Sequence, residues 1–266
     1  LIGREVNSLE ELAPEERQQI ILDLLQTEGK VLAMDLAARL NTTEATIRRD
    51  LRYLSDNGLC KRIHGGALAQ SAIIATPFER KSISTDEKKA LAIAALRLIK
   101  NNQVIFLDAS TTHLLLAGLL PRDKNLTVVT NSVSIATRLL EHSGIRTIVL
   151  GGELNPLIGG AVDSKAIQEL AIFKFDLALV GVCSWSSESG FSAVDYQDAQ
   201  FKRTLIDRAG EIAVLCTQDK IDKYAPYKIM DTKDIDHLIL YTTSNTQLEK
   251  QVREAGGAIF YNEDTI

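Results

Sequence analysis

Cysteine, proline and aromatic residues are scarce in this chain of 266 residues: 3 Cys, 5 Pro, and only 5% Phe, Trp and Tyr together. Three widely spaced cysteines, Cys60, Cys183 and Cys216, make no disulfide framework, and no CxxC or Cys/His pair has metal-ligand spacing. Reduced, unpaired thiols are expected, with no cofactor or metal. So few aromatics mean a core built from aliphatic side chains. No apolar run approaches the roughly 20 residues that a membrane span needs. The N-terminal residues lack the apolar stretch of a secretory signal, so a cytoplasmic location is expected. The chain starts at Leu1 and not Met, which leaves room for residues before it. An excess of positive charge is missing too. The net charge is -5, from 30 Lys and Arg against 35 Asp and Glu. That excludes a non-specific nucleic-acid coat protein but not one small DNA-reading face on an acidic body.

What is present is an ordinary globular composition, 45% hydrophobic and 24% charged, which excludes disordered and collagen-like classes. The length suits one large domain or two smaller ones. Residues 1–13 read as an N-terminal extension. From Pro14 a helix is expected, with Glu15 and Glu16 near its positive end, Ile20, Ile21, Leu24 and Leu25 at helical spacing, and Gly29 as its stop. Leu36, Ala37 and Leu40 mark a second helix, and Asn41-Thr42-Thr43 is turn and N-cap chemistry. Ile47, Leu51 and Leu54 define a third helix that ends at Asn57-Gly58. A short strand over 59–63 and His64-Gly65-Gly66 follow. Residues 14–67 thus form a small helix-turn-helix domain with a β-wing, and 68–80, without periodicity, read as a linker.

From residue 81 to 266 the texture changes. Apolar β-rich runs at 104–107, 126–129, 147–150, 177–180, 212–215, 238–240 and 258–261 alternate with helical patterns at 90–99, 114–120, 133–140, 164–172, 199–208 and 247–255. Nearly continuous apolar strands separated by helices predict an α/β domain with a mostly parallel sheet covered on both faces. No internal repeat of solenoid type is present.

Two constellations carry chemistry. On a wheel of about 100° per residue, Ile47, Leu51 and Leu54 face one side of the third helix. Ala45, Arg49 and Arg52 fall opposite, with Thr46 and Arg48 on the flanks. Arginine pairs with guanine O6 and N7, and small neighbours allow close approach to a major groove. Thr42 and Thr43 at the helix start, and Lys61, Arg62 and His64 on the wing, are placed to hold phosphates. The plain alternative is a solvated basic face with Asp50 and Asp56 as counter-charges. The tight turn between two short helices, followed by a wing, favours DNA.

The second constellation lies at the carboxyl ends of the parallel strands, where such sheets bind ligands. Asp108, Ser110, Thr111 and Thr112 end the first strand, Thr130-Asn131-Ser132 the second, Gly151-Gly152 the third and Gly181 the fourth. Each alone reads as a helix cap or an ordinary turn. Repeated at corresponding places, they suit a phosphorylated polyol, with Asp198 and Lys202 on a later helix and Lys220 after the strand at 212–215 as further ligands. His113 reads as a helix-surface residue rather than a base. Neither a Ser-His-Asp nor a Cys-His arrangement is suggested, and no catalytic residue is assigned.

Residues 17–67 resemble the winged helix-turn-helix of the DeoR family of bacterial transcriptional regulators. The diagnostic stretch is Leu-Ala-Ala-Arg-Leu-Asn-Thr-Thr-Glu-Ala-Thr-Ile-Arg-Arg-Asp-Leu from Leu36 to Leu51, followed by Arg62-Ile63-His64-Gly65-Gly66-Ala67. The larger part is similar to that family's sensor domain, related in fold to ribose-5-phosphate isomerase and glucosamine-6-phosphate deaminase, through Asp86-Glu87-Lys88, 107–112, 129–132, Gly151-Gly152 and 175–181. Two stretches depart from the family pattern: Asp198-Ala199-Gln200-Phe201-Lys202 stands where Glu-Ala-x-x-Lys is usual, and Thr217-Gln218-Asp219-Lys220 where Asp-Ser-Ser-Lys is usual. The second departure puts the contact through Lys220 in question. The resemblance implies an oligomeric repressor of a carbohydrate operon that binds double-stranded operator DNA and is governed by a phosphorylated sugar. The alternative is an isomerase-like enzyme carrying a DNA-binding appendage.

Overall fold

The computed structural model describes residues 12–70, 76–242 and 246–262. The chain divides into two compact units, Leu1–Gln70 and Ser71–Ile266. In the small unit, α1 (Pro14–Glu28), β1 (Lys30–Leu32), α2 (Ala33–Arg39), α3 (Glu44–Asp56), β2 (Cys60–Ile63) and β3 (Gly66–Gln70) follow in order. Proline stands at the first turn of α1, and Gly29 ends it by returning its N–H to the Leu25 carbonyl. Thr43 caps α3, its hydroxyl accepting the Thr46 N–H at 3.2 Å. The strand β3 is central, antiparallel to both β1 and β2. Ile21, Leu25, Leu36, Ile47, Leu51 and Leu54 form the core with Cys60, Ala67 and Ala69.

Two expectations need correction here, the linker bounds and the Asp50 counter-charge. The segment 68–80 is not a plain linker. Leu68 to Gln70 belong to β3, Pro77–Arg80 form a helical turn, and 71–75 lie outside the described residues. The strand is built of small residues, which give no β signal: a Cβ on Gly66 would come 2.0 Å from the Val31 carbonyl oxygen, and Ala67 and Ala69 pack into the core. The N-terminal extension also lies outside the described residues, apart from Leu12 and Ala13. Asp50 is no counter-charge for the helix arginines. It is 3% exposed and accepts from Arg17 Nε at 2.6 Å, with Gln18 Nε2 at 3.1 Å on its other oxygen. Being three residues after Ile47, it shares that residue's inward face.

The large unit runs α4 (Pro77–Arg80), α5 (Thr85–Ala95), β4 (Val104–Leu107), α6 (Thr111–Ala117), β5 (Leu126–Thr130), α7 (Val133–Leu139), β6 (Ile145–Val149), β7 (Leu154–Asn155), β8 (Gly160–Ala161), α8 (Ser164–Leu170), β9 (Phe175–Leu179), β10 (Ser184–Ser186), β11 (Gly190–Ala193), α9 (Tyr196–Ile206), β12 (Ala209–Cys216), β13 (Lys223–Tyr224), β14 (Tyr227–Met230), β15 (His237–Leu240), α10 (Thr246–Glu254) and β16 (Ala258–Tyr261). Seven strands form one sheet in the order β16-β15-β12-β9-β4-β5-β6, every pair parallel. All seven expected strands are in it. Alternate residues face opposite layers. Ile105, Leu107, Leu177 and Leu179 pack with α5, α6 and α7, while Phe106, Ala178, Val180 and Val214 pack with α8, α9 and α10. Not foreseen were the antiparallel sheet β10-β11-β14 and the β7–β8 hairpin. The three cysteines are buried. Among the described residues no helix is long and apolar enough to cross a membrane.

The buried Arg17–Asp50 pair gives the first prediction. Asp50→Ala leaves a guanidinium buried without its carboxylate and destabilises the small unit by about 3–5 kcal/mol. Asp56→Ala, at the exposed end of the same helix, stays within about 0.5 kcal/mol. Hydrogen exchange of residues 14–69 reads both, and equal effects would contradict the pairing.

Candidate functional sites

In α3 the buried side is Ile47, Asp50, Leu51 and Leu54. Ala45, Arg48, Arg49 and Arg52 are exposed, as are Thr43, Arg62 and His64; Thr42, Thr46 and Lys61 are half-buried. Arg48 pairs with Glu44 one turn earlier, Nη2 to Oε1 at 2.5 Å. Among the described residues, Arg49 and Arg52 have no ion pair, because the nearby carboxylate of Asp50 is turned inward to Arg17. The small unit thus presents two unneutralised guanidinium groups on the outer face of a capped helix.

In the large unit, chain order reverses direction between β4 and β9, which are neighbours in the sheet. Strand ends splay apart at such a switch point and leave a crevice. Asp108 follows β4 and Gly181 follows β9, so the topology brings the two together. The Gly181 N–H donates to Asp108 Oδ2 at 2.9 Å. A Cβ on Gly181 would lie at the same 2.9 Å from that oxygen, so only glycine allows the approach. Beside them is a cavity of about 150 Å³. Ser110, Thr111, Gly181, Asp198, Lys202 and Lys220 line it, all anticipated from sequence. Lys220 faces it despite the altered residues before it. Arg80, Lys88 and Lys223 add basic groups that sequence reasoning did not assign to the site. Lys88 lies in a stretch that the family resemblance had marked. Arg80 had only the charge of Glu79-Arg80-Lys81 after an uncharged stretch as a signal.

The floor is a buried charge cluster. Asp198 and Lys202, four residues apart on α9, share its inner face. The Lys202 ammonium is hydrogen-bonded to Asp198 Oδ2 and lies 3.6 Å from Asp108 Oδ2. Asp108 and Asp198 are fully buried, and Lys202 is 3% exposed. Burial raises both carboxyls above their ordinary range, Asp198 to about 6, while Lys202 pulls them down. Burial alone would lower Lys202, but the two carboxylates outweigh it and hold the ammonium charged. Asp108 Oδ1, Asp198 Oδ1 and the Thr217 hydroxyl are buried without a hydrogen-bond partner. Buried polar atoms are nearly always satisfied, so the atoms left over on Asp198 and Thr217, which line the cavity, mark a place for a polar ligand, with Asp108 behind them.

Other anticipated residues have different places. Thr130 and Asn131 do not line the cleft. The Thr130 hydroxyl donates to the Leu107 carbonyl at 2.6 Å. Asn131 Oδ1 accepts the Ala109 N–H at 3.0 Å, and its Nδ2 donates to the Ala161 carbonyl at 3.2 Å. They fix the loop that presents Ser110 and Thr111. Ser132 faces a smaller neighbouring cavity with Ser110 and Thr111. Thr112 is 1% exposed and buried in α6. Gly151 and Gly152 are also away from the cleft. The Gly151 N–H donates to Glu169 and the following Glu153 N–H to Asp163, so two carboxylates clamp this turn. His113 is not on the surface: at 1% exposure its Nδ1 lies 2.8 Å from the Asp108 carbonyl oxygen. Burial pushes it down to about 4, so it is neutral at pH 7.

The cluster sets a pH dependence. A carboxyl raised from 3.8 to about 6 on folding favours the folded state fully below the lower value. That contribution is lost as pH rises through the upper one. Lys202→Met removes the ammonium from between the carboxylates and destabilises the large unit by about 3 kcal/mol at pH 7.5. The deficit shrinks at pH 5, where protons neutralise the acids. Thermal melts at the two pH values check this; a deficit independent of pH would contradict the cluster.

Residues 83–241, more than half of the chain, match the family model for the DeoR C terminal sensor domain, and residues 17–72 match that for the DeoR-like helix-turn-helix domain. The HTH-type transcriptional regulator GolR of Listeria innocua is 32% identical over 248 residues, covering 91% of this chain and 96% of that one. The glycerol-3-phosphate regulon repressor of Escherichia coli is 29% identical over 211 residues, covering 79% and 84%. Among solved structures, ribose 5-phosphate isomerase A of Methanocaldococcus jannaschii is 17% identical with a TM-score of 0.39, over 52% of this chain and 54% of that one. With both of its units matched, the chain belongs to the DeoR family of DNA-binding transcriptional regulators.

Proposed function

We propose that this protein is a repressor of a carbohydrate-utilisation operon, and that a phosphorylated sugar in the large unit's cleft sets its grip on operator DNA. The observation that carries the reading is the pairing, in one chain, of an outward arginine face on α3 with a cleft that combines excess positive charge and unsatisfied buried carboxylate oxygens. Arg80, Lys88, Lys202, Lys220 and Lys223 line that cleft against Asp198 and Asp219. The carboxylate oxygens accept from sugar hydroxyls, and the basic groups balance a phosphate. Relatives named as glycerol-3-phosphate regulon repressors are in keeping with a phosphorylated polyol as the class of effector.

On the DNA, Arg49 and Arg52 read base edges with Ala45 allowing close approach. Thr42, Thr43, Thr46, Arg48, Lys61, Arg62 and His64 hold the sugar-phosphate backbone on either side. A symmetric oligomer presents two such helices to paired half-sites, in the cytoplasm. Binding proceeds without turnover. Relatives named as transcriptional regulators support this reading over the isomerase alternative. Conversion of a phosphorylated sugar by the full chain would favour the isomerase alternative.

Arg49→Ala should weaken operator binding by about 1–3 kcal/mol and leave thermal stabilisation by a phosphorylated sugar unchanged. Unaltered operator affinity in a gel-shift titration would overturn the groove assignment.

A further inference from the structure

Arg80 stands at a junction that neither the arginine face nor the carboxylate cluster explains. It closes the turn Pro77–Arg80, the first described element after the small unit ends at Gln70. That turn is well fastened. The Thr76 N–H and hydroxyl both donate to Glu79 Oε2, at 2.7 and 3.0 Å. Pro77 packs on Gly159 so tightly that a Cβ there would come 2.7 Å from its ring. Lys88 Nζ donates to the Arg80 carbonyl at 2.6 Å, tying the turn to α5. Arg80 lines both the main cleft and the smaller cavity beside it. One terminal nitrogen donates to the Leu157 carbonyl at 3.0 Å, while Nε is buried with no partner.

A buried guanidinium N–H without an acceptor is costly, and a guanidinium pairs best with an anion that offers two oxygens. Building on the proposed effector site, we infer that Arg80 takes the anionic group of the effector and, through the turn it closes, passes cleft occupancy to the chain segment leading from the DNA-binding unit. Ser110 and Thr111 face the same two cavities and supply hydroxyls to that anion. Asp108 and Asp198, at the buried end of the cleft, take the neutral hydroxyl groups. This ordering gives one residue two duties: it contributes to affinity, and it fixes the residues whose conformation must change for DNA binding to respond. A ligand that fills the carboxylate end alone binds without a response, since only unequal interaction with two states shifts them.

The test uses the full chain with inorganic phosphate as the probe. Binding is followed by calorimetry, and the amides of Arg80, Lys81, Ser82 and Ile83, all hydrogen-bonded within the turn or just after it, by hydrogen exchange. Phosphate should slow exchange at these amides in the unaltered protein. Arg80→Gln should bind phosphate at least about ten-fold more weakly and show no slowing at saturation. Arg80→Lys, which keeps the charge but loses the fork, should fall between and report that the fold is intact. Lys250→Gln, on the exposed side of α10, should bind like the unaltered protein. Phosphate binding by Arg80→Gln that matches the unaltered protein, or slowing that persists in it, overturns the inference. If Lys220→Gln weakens phosphate while Arg80→Gln does not, the inference falls and the effector cleft stands. If the unaltered protein fails to bind phosphate, both fall.

Discussion

An ammonium 3% exposed, set between two fully buried carboxylates, is an expensive arrangement, and the large unit is organised around it. Desolvating three ionic groups costs more than their attraction returns unless further hydrogen bonds satisfy them. Here that completion is partial. Gly181 serves one oxygen of Asp108, yet Oδ1 of Asp108 and Oδ1 of Asp198 are left over. Well-packed apolar side chains would make a more stable floor. A chain that retains the charges holds unsatisfied acceptors where a polyol can complete them. The topological switch between β4 and β9 is what permits the cluster, because only there do two adjacent parallel strands send their following loops apart.

The small unit solves the opposite problem with the same kind of interaction. Its buried pair, Arg17 with Asp50, is completed by Gln18 and by the Leu12 carbonyl. The pairing ties α1 to α3 and uses up the carboxylate that would otherwise neutralise the arginines on the helix exterior. Arg49 and Arg52 are therefore available to phosphate or base edges because Asp50 is not. One ion pair thus sets both the packing of α1 on α3 and the charge left on the outer face of α3.

Much of this was legible in the sequence, for physical reasons that can be named. Parallel strands buried on both faces must be apolar throughout, so runs such as Val104–Leu107 and Leu238–Leu240 stand out from the helices between them. Loops at the carboxyl ends of parallel strands border the crevice, so Asp108, Ser110, Thr111 and Gly181 could be found by position. Asp198 and Lys202 were marked by their place on a later helix and by the family pattern they resemble. The antiparallel strands β10, β11 and β14 did not, since Ser184, Ser186 and Ser192 are buried and break any apolar alternation. Polar caps and ligand loops share one vocabulary of Thr, Asn, Ser and Gly. That is why Thr130, Asn131, Gly151 and Gly152 read as binding groups although they hold loops in place. Arg80 was missed because its place beside the cleft involves a contact with Leu157, far along the chain, which no local pattern encodes.

The central claim is that two units of one chain are thermodynamically linked, an arginine face for DNA and a charged cleft for a sugar phosphate. Linkage is reciprocal: whatever factor the effector imposes on operator affinity, the operator must impose on effector affinity. Calorimetric titration of the full-length protein with a stabilising sugar phosphate, alone and saturated with operator DNA, measures that factor directly. The account predicts that effector affinity changes by about 5- to 150-fold when operator is bound. Identical affinities in the two titrations would contradict it.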